Sequence, residues 1–342
     1  SQTLCVKWSN TVSNTFHCSN GVKQGGVLSP VLFCTYMDAL LNRLKTLGVG
    51  CHIGRHYVGA LCYADDLTLI SPTRSAAQAM LDACDRFARE YDVIFNGSKS
   101  VSIVVNSRQC ANAANLTLHG QCIPRMNSSV HLGHHIGVGA HRLNIQHAVA
   151  DMNRRVNGLL CNFRYCSFDS IKLLFQSYCT SFYGCPLWKL GDMQRLSVCW
   201  RKCLRRLLRL PQRTHSSFIP LLLQKPDLNA QLLMRFSNFV YKCTQSTNYV
   251  VRLCSKLCFS STTAVNSNLC LIRYLVNCSN FDFTLPRIVS KNLFEYWLDS
   301  CSEIDMGHVS FLIELLRIRD GLLTSPLSHN ELSQLIEAVC II

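Results

Sequence analysis

The stretch ALCYADDLTLI, residues 60–70, decides the fold of the N-terminal part of the chain. Two apolar segments flank Asp65 and Asp66, which predicts a β-hairpin with an acidic pair at its turn. Adjacent carboxylates repel each other, so a cation is expected to compensate them. Mg²⁺ takes oxygen ligands, and two such ions can hold both the attacking and the leaving oxygen of a phosphoryl transfer. The alternative is an ordinary exposed Asp-Asp turn.

Upstream of this hairpin lies a glycine-rich connection, GVKQGGVLSP, at residues 21–30. Gly25 and Gly26 allow the backbone to approach a ligand closely, and Gln24 offers an amide that both donates and accepts hydrogen bonds. Ser29 predicts a capped helix start, and such a helix N-terminus can face a phosphate. A glycine turn before an ordinary helix is the alternative.

Two further motifs follow the hairpin. FNGSKS at 95–100 places Lys99 after a predicted helix and strand, and a solvated surface lysine is its alternative interpretation. LGHHIG at 132–137 follows the last predicted strands. His134 and His135 alternate across a strand, which makes them poor joint metal ligands.

Apolar periodicity predicts an α+β module to about residue 140, followed by an all-helical module. The first helix is expected to run from Ser29 to Gly48, with an apolar face made of Leu32, Phe33, Tyr36, Leu40, Leu44 and Leu47. A second helix is predicted at 75–91, and strands at 93–95, 101–105, 116–119 and 130–133. Later helices are predicted at 144–161, 168–183, 192–210, 228–243, 288–299, 310–318 and 330–340.

The chain of 342 residues carries 34 Lys and Arg against 20 Asp and Glu, a net charge of +14. Residues 141–213 alone hold 13 basic and 3 acidic side chains. This concentration indicates a polyanionic partner. A hydrophobic fraction of 48% excludes a largely disordered protein.

The basic stretch centres on one predicted helix, where cations repeat at i, i+4 beside an apolar stripe and no acidic partner stands between Gln194 and Gln212. The cations are Arg201, Lys202, Arg205, Arg206 and Arg209. We expect them to contact a nucleic-acid backbone. A membrane-surface helix is the alternative, although Trp200 is its only aromatic anchor.

The 21 cysteines do not form a C-x-x-C pair, so reduced, buried thiols are expected ahead of a disulfide framework or a zinc site. No apolar run reaches the roughly 18 residues of a membrane span. The N-terminal residues lack an initiator Met and a signal peptide. We therefore expect a chain that starts within a longer protein of the cytoplasm or nucleus.

In this order, the four motifs resemble the palm of a reverse transcriptase from a non-LTR, LINE-type retrotransposon. The glycine-rich motif resembles the family's template- and nucleotide-gripping segment, and YADD resembles its metal-binding hairpin. FNGSKS is similar to the motif near the incoming triphosphate, and LGHHIG to the primer-grip hairpin. Segments 174–188 and 200–222 are similar to those that follow the polymerase domain, so the resemblance covers about residues 4–225.

The resemblance implies a catalytic role for three residues. Asp65 would bind catalytic Mg²⁺, in a two-metal site, and Asp66 would support that site. Tyr63 and Ala64 would lie against the primer terminus. Lys99 would protonate or neutralise the leaving pyrophosphate, because loose phosphoryl transition states are stabilised by positioned metal ions and cations.

The same resemblance implies binding roles for residues in two other motifs. Gln24, Gly25 and Gly26 would approach the incoming deoxynucleoside triphosphate and the template. Leu132 and Gly133 would belong to the primer grip. The partners implied are an RNA template and a DNA primer, or their hybrid duplex.

The sequence also departs from the family pattern. The family's palm has an earlier strand that carries another metal-binding Asp, whereas the twenty residues before Gly21 contain no Asp or Glu. Asp38 does not replace it, since it falls on the helix after the glycine-rich motif. We therefore expect an incomplete metal site and no primer extension by the chain alone.

These observations give one leading hypothesis and two rivals. The leading one is part of a non-LTR reverse transcriptase, an RNA-directed DNA polymerase. It would have a partial palm at 1–140, made of an antiparallel sheet with packed helices, a basic helical thumb region at 141–225 and a neutral helical extension at 226–342. The first rival is a non-catalytic nucleic-acid-binding remnant that uses the basic helices. The second is a structural interaction protein in which the motifs are relics.

Overall fold

A computed structural model describes residues 2–18, 21–23, 25–105, 115–163, 165–191, 193–260, 268, 286–299, 301, 305–320 and 328–341. The chain divides into two compact units, Ser1–Met126 and Asn127–Ile342. Helices and short, mostly antiparallel strands share the first unit, and helices dominate the second. The α+β prediction is confirmed.

The strands of the first unit pair two by two. They are β1 (Gln2–Leu4), β2 (Lys7–Trp8), β3 (Thr11–Val12), β4 (Phe16–Cys18), β5 (His52–Ile53), β6 (His56–Tyr57), β7 (Ala60–Tyr63), β8 (Asp66–Leu69), β9 (Ser102–Ile103), β10 (Leu116–Leu118), β11 (Gln121–Ile123) and β12 (Arg125–Met126). β1 pairs with β4 and β2 with β3 in a nested hairpin. β9 and β12 form a parallel pair, whereas the other pairs among the described residues are antiparallel. The predicted antiparallel sheet therefore occurs as separate ladders, and residues 93–95, predicted as a strand, adopt no regular structure.

Two helices, α1 (Ser29–Thr46) and α2 (Arg74–Tyr91), carry the core of this unit. The buried face of α1 includes Met37 and Leu40, and that of α2 includes Met80 and Phe87. Thr73 caps α2 by accepting from the amide of Ala76 at 3.2 Å. The two helices are joined by a bidentate ion pair, in which the guanidinium of Arg43 donates to Glu90 at 2.6 and 2.8 Å.

Helix α1 starts differently from the prediction. Leu28, not Ser29, occupies the capping position, and no side chain caps the helix there. The hydroxyl of Ser29 donates instead to the carbonyl of Lys23 at 2.6 Å. It thereby closes the glycine-rich turn.

The second unit begins with the hairpin of β13 (Ser128–His131) and β14 (His134–Gly137). Its helices are α3 (Ala140–Asn162), α4 (Phe168–Leu174), α5 (Gln194–Leu207), α6 (Phe218–Leu222), α7 (Leu228–Thr244), α8 (Tyr249–Ser260), α9 (Pro286–Asp299), α10 (Met306–Arg319) and α11 (His329–Ile341). The predicted helix at 168–183 ends earlier, as a wider π-type turn at Phe175–Cys179. Sequence reasoning missed α6 and α8.

A single apolar core holds the second unit together. Helices α3 and α5 lie side by side, and Trp200 of α5 is buried against Phe175, with ring centroids 6.3 Å apart. Full burial of such aromatic side chains contributes roughly 1.5–3 kcal/mol each. In the described part of the chain, no helix combines the length and apolar character of a membrane span.

Candidate functional site

The acidic pair lies at a two-residue hairpin turn. Tyr63 and Asp66 face each other as the last pair of β7 and β8, so Ala64 and Asp65 form the loop. Ala64 has a φ of 52°, in the left-handed region that tight two-residue turns use. Asp65 and Asp66 are both exposed, and Tyr63 is 67% exposed. The turn therefore presents both carboxylates and an aromatic ring to solvent.

A half-buried thiol lies behind this turn. The Sγ of Cys62 donates to the carbonyl of Ala64 at 3.1 Å. Burial raises the pKa of Cys62, and the charges of Cys34, Asp38, Asp65 and Asp66 raise it further. Asp38 lies on α1 and thus acts on the same thiol as the acidic pair. The sequence did not reveal that Asp38 lies near Cys62, because the two residues belong to different elements. Asp38 directly follows Met37, which is buried on α1.

The chemistry of the turn suits a hard divalent cation. Two exposed carboxylates supply oxygen ligands of the kind that Mg²⁺ prefers. Within the described residues, however, no three His, Cys, Asp or Glu side chains come together as a metal-binding group. Asp65 and Asp66 therefore offer a partial ligand set for one or more ions that also bind phosphate oxygens.

The glycine-rich turn is held by short contacts. Gly25 has a φ of +81°, and a Cβ there would meet no atom within 4 Å, so this position faces open space. A Cβ on Gly26 would lie 2.5 Å from the hydroxyl of Ser29. A side chain at position 26 would therefore displace the Ser29 hydroxyl, which donates to the carbonyl of Lys23. Gln24 lies outside the described residues.

Lys99 is exposed in a turn organised by Asn96. The side-chain oxygen of Asn96 accepts from the amide of Lys99 at 3.1 Å and from the hydroxyl of Ser98 at 2.7 Å. This arrangement fixes the backbone and leaves the ammonium group in solvent. Whether Lys99 serves the acidic turn stays a prediction.

The hairpin β13–β14 has a turn in which Leu132 and Gly133 both have positive φ, 48° and 74°. Two such residues form the turn that best matches strand twist. A buried side chain, Asn144 of α3, fixes this hairpin: its oxygen accepts from the amide of His135 at 2.9 Å, and its nitrogen donates to the carbonyl of His135 at 2.9 Å. The Nε2 of His134 lies 3.1 Å from the same nitrogen. Burial, reinforced by His135, lowers the pKa of His134.

The cations of α5 divide into two groups. Arg205 is half-buried and donates to the carbonyl of Thr214 at 2.8 Å, and burial, followed by the charge of Arg201, lowers its pKa. Arg201 is half-buried as well. Lys202 and Arg206 are exposed on α5, and Arg209 is exposed just beyond the helix, which ends at Leu207 and not at residue 210 as predicted. Fewer of these cations are therefore exposed than the sequence pattern predicted, because Arg201 and Arg205 are half-buried.

Residues 2–136 match the family described as reverse transcriptase (RNA-dependent DNA polymerase). This part of the chain is therefore similar to reverse transcriptases. The matched range contains the glycine-rich turn, the acidic hairpin, Lys99 and the hairpin at Leu132.

The chain is also similar in sequence to individual retrotransposon proteins. Over 72 residues the chain is 43% identical to a retrovirus-related Pol polyprotein from type-1 retrotransposable element R2 of Nasonia vitripennis. It is 35% identical over 96 residues to the polyprotein from type-2 element R2DM of Drosophila melanogaster, and 38% identical over 106 residues to one from an R2 element of Popillia japonica. The resemblance to non-LTR reverse transcriptases is confirmed.

The reverse transcriptase segment is a small part of those relatives. The alignments cover 21%, 28% and 31% of this chain, and 7%, 9% and 14% of the three polyproteins. The chain therefore spans well under a fifth of the length of the relatives it matches.

Proposed function

We propose that the chain contributes to RNA-directed DNA synthesis as part of a non-LTR retrotransposon reverse transcriptase. One observation carries the proposal. The segment that matches the reverse transcriptase family contains the hairpin of β7 and β8, and the turn of this hairpin presents Asp65 and Asp66 to solvent. Asp65 binds catalytic Mg²⁺ in this proposal, and Asp66 supports the site. When bound, divalent ions neutralise the charge that develops on the phosphates during nucleotidyl transfer.

Three other motif segments of the first unit position the substrates in this proposal. Tyr63 and Ala64 contact the primer terminus, which the exposure of the Tyr63 ring supports. Gly25, Gly26 and the neighbouring Gln24 approach the incoming deoxynucleoside triphosphate and the template; the open space in front of Gly25 supports this role. Lys99 neutralises or protonates the leaving pyrophosphate.

The second unit binds the nucleic acid in this proposal. Leu132 and Gly133 form the primer grip, at a turn fixed from behind by Asn144. The thumb region at 141–225 tracks the template–primer backbone, and 226–342 forms a helical extension. Phosphate contacts depend on charge and not on sequence, which suits exposed Lys202, Arg206 and Arg209.

We further propose that the 342 residues alone do not extend a primer. Two neighbouring carboxylates supply fewer ligands than a pair of catalytic ions needs. The alternative function, a non-catalytic nucleic-acid-binding remnant, is favoured by the exposed cations of α5, which do not depend on the metal site.

A primer-extension assay with an RNA template, a DNA primer, Mg²⁺ and deoxynucleoside triphosphates tests these statements. We expect no extension, together with salt-dependent retention of the hybrid by the chain. Templated synthesis that is abolished in Asp65→Asn would contradict the proposed inactivity and support the polymerase assignment. Absence of hybrid binding at low salt would contradict both the polymerase role and the remnant alternative.

A further inference from the structure

A cavity of about 260 Å³ lies within the second unit, next to the turn of the hairpin β13–β14. Its walls come from that hairpin, from α3 and from the segment at 179–188. Gly133 of the hairpin lies beside Tyr183, since a Cβ on Gly133 would be 3.5 Å from Cε1 of the tyrosine ring. The cavity therefore adjoins the turn of the proposed primer grip, but the roles proposed so far do not use it.

One wall of the cavity is aromatic. Phe182 and Trp188 both line it and pack together, with ring centroids 6.0 Å apart. Trp188 is almost fully buried, whereas Tyr183 is 70% exposed. An exposed aromatic ring beside a cavity offers a stacking surface to a flat ring system.

The buried indole of Trp188 also carries an unused donor. Its Nε1 has no hydrogen-bond partner among the residues that the structure describes. A buried indole N–H usually has an acceptor, and leaving it without one is costly. An occupant of this cavity that carries acceptor atoms would satisfy this group.

The wall formed by α3 is cationic. The carboxylate of Asp151 accepts from Arg154 and, at 2.7 Å, from the Nε of Arg155. Arg155 also donates to the carbonyl of Tyr178 at 2.6 Å, which fixes its guanidinium. Arg154 makes no hydrogen bond to any other described residue, and its side chain is 79% exposed. One carboxylate is thus shared by two guanidiniums, and the excess positive charge is accessible at Arg154.

These features together favour a nucleotide as the occupant. A nucleobase stacks on aromatic rings and carries carbonyl and ring-nitrogen acceptors, and its phosphate pairs with a guanidinium. A volume of about 260 Å³ suits one nucleotide and not a base pair. Bases within a duplex are stacked on each other, so a base must be unpaired to stack on a protein ring.

We propose that the cavity binds one unpaired nucleotide of a nucleic-acid strand, with its base stacked on Tyr183 and its phosphate paired with Arg154. The inference rests on the proposed function, because binding of the template and primer brings the strand to the second unit. It adds a site for a single-stranded nucleotide to the backbone contacts of α5.

Fluorescence anisotropy with two labelled RNA–DNA hybrids tests the inference. Each hybrid carries a short single-stranded extension, which has bases in one hybrid and abasic sites in the other, so that both have the same phosphates. We expect the chain to bind the extension with bases about ten-fold more tightly, in line with the usual effect of stacking a base on an aromatic side chain. The extension is RNA in one set and DNA in another. A preference for bases in either set identifies the strand, and equal affinities in both sets would overturn the inference.

Variants of exposed tyrosines assign the preference to this cavity. Tyr183→Ala is expected to remove the preference for bases, whereas Tyr183→Phe keeps the ring and the preference. Tyr165→Ala, the same change at a tyrosine that is 92% exposed in the same unit, should retain it. Persistence of the preference in Tyr183→Ala would overturn the inference.

The phosphate contact has its own pair of variants. Arg154→Gln is expected to weaken binding of both extended hybrids several-fold relative to a blunt hybrid. Arg142→Gln, the same change at another exposed position of α3, should affect the blunt and extended hybrids alike. Equal effects of the two variants would contradict the contact with Arg154.

The blunt hybrid separates this inference from the proposed function. A chain that binds the blunt hybrid but shows no preference for bases would overturn the inference and leave the proposed function standing. A chain that binds none of the hybrids would contradict both.

Discussion

At the scale of single residues, Ala64 shows how the acidic turn is built. Its φ of 52° lies in a region that disfavours residues with a side chain. The turn nevertheless forms because β7 and β8 pair on both sides of it. The hairpin and its acidic pair were predictable from the sequence, since two apolar segments flank a short polar turn. The strained alanine was not, because glycine or asparagine is the usual residue there.

We predict that Ala64→Gly leaves stability unchanged or raises it by up to about 1 kcal/mol, because relief of the left-handed strain exceeds the entropic cost of glycine. Ala64→Val is expected to cost about 1–2 kcal/mol, since a β-branched residue fits this region poorly. Urea unfolding followed by circular dichroism measures both. Ala60→Gly, the same change within β7, is the control and is expected to destabilise. Stabilisation in both glycine variants would contradict the account.

His134 gives a second prediction at this scale. Burial lowers the pKa of His134, so the fold favours the neutral ring, which accepts from Asn144 through Nε2. The unfolded chain then binds the proton more tightly. Stability is fully present above the ordinary histidine pKa of about 6.5 and is lost as the pH falls below it.

Unfolding midpoints measured between pH 7.5 and pH 5.5 test this expectation. His134→Gln should flatten the decline, whereas His329→Gln, the same change at an exposed position, should leave it as in the wild type. An equal decline in His134→Gln and the wild type would exclude His134 as its source.

At the scale of elements, the positions of the helices were predicted better from the sequence than the faces that the helices bury. Helix α2 follows its predicted bounds to within one residue, because Thr73 caps it and its apolar stripe is regular. In α1 the predicted stripe included Leu32 and Tyr36, which are exposed. The buried stripe instead contains Met37, which the emphasis on leucine and aromatic residues missed. Short strands were predicted less well, since tertiary pairing decides them.

Helix α5 shows the same limit for the nucleic-acid site. A repeat of cations at i, i+4 identifies a basic helix, but it does not reveal that Arg205 turns to the carbonyl of Thr214. That contact joins α5 to the turn that follows the helix, nine residues beyond Arg205. The exposed and the structural cations are therefore distinguishable only in the folded chain.

This division predicts separate effects for two neighbouring residues. Arg205→Ala is expected to lower stability by about 1–2 kcal/mol, since hydrogen bonds from a charged group to the Thr214 carbonyl are lost. Lys202→Ala is expected to leave the melting temperature unchanged and to reduce the salt dependence of RNA–DNA hybrid binding by about one phosphate contact. Thermal melts and binding isotherms at several salt concentrations measure both. A reversed assignment of the two effects would refute the division.

At the scale of the whole molecule, the chain consists of two units. Residues 2–126 of the first unit all lie within the range that matches the reverse transcriptase family, and the second unit is mostly helical. The similarity to reverse transcriptases was recognisable from four short motifs in order. The sequence did not reveal that Asp38 lies near the acidic turn, because the packing of α1 brings it there. We propose that Asp65 and Asp66 hold a divalent ion at that turn.

Titration of Mn²⁺, followed by electron paramagnetic resonance in the presence of a deoxynucleoside triphosphate and a primer–template hybrid, tests this claim most directly. The wild-type chain is expected to bind Mn²⁺ at least about ten-fold more tightly than Asp65→Asn or Asp66→Asn, in line with the usual effect of removing a metal-site partner. Asp82→Asn, the same change at an exposed carboxylate of α2, should bind as the wild type does. Equal Mn²⁺ affinity in the wild type, Asp65→Asn and Asp66→Asn would contradict the claim.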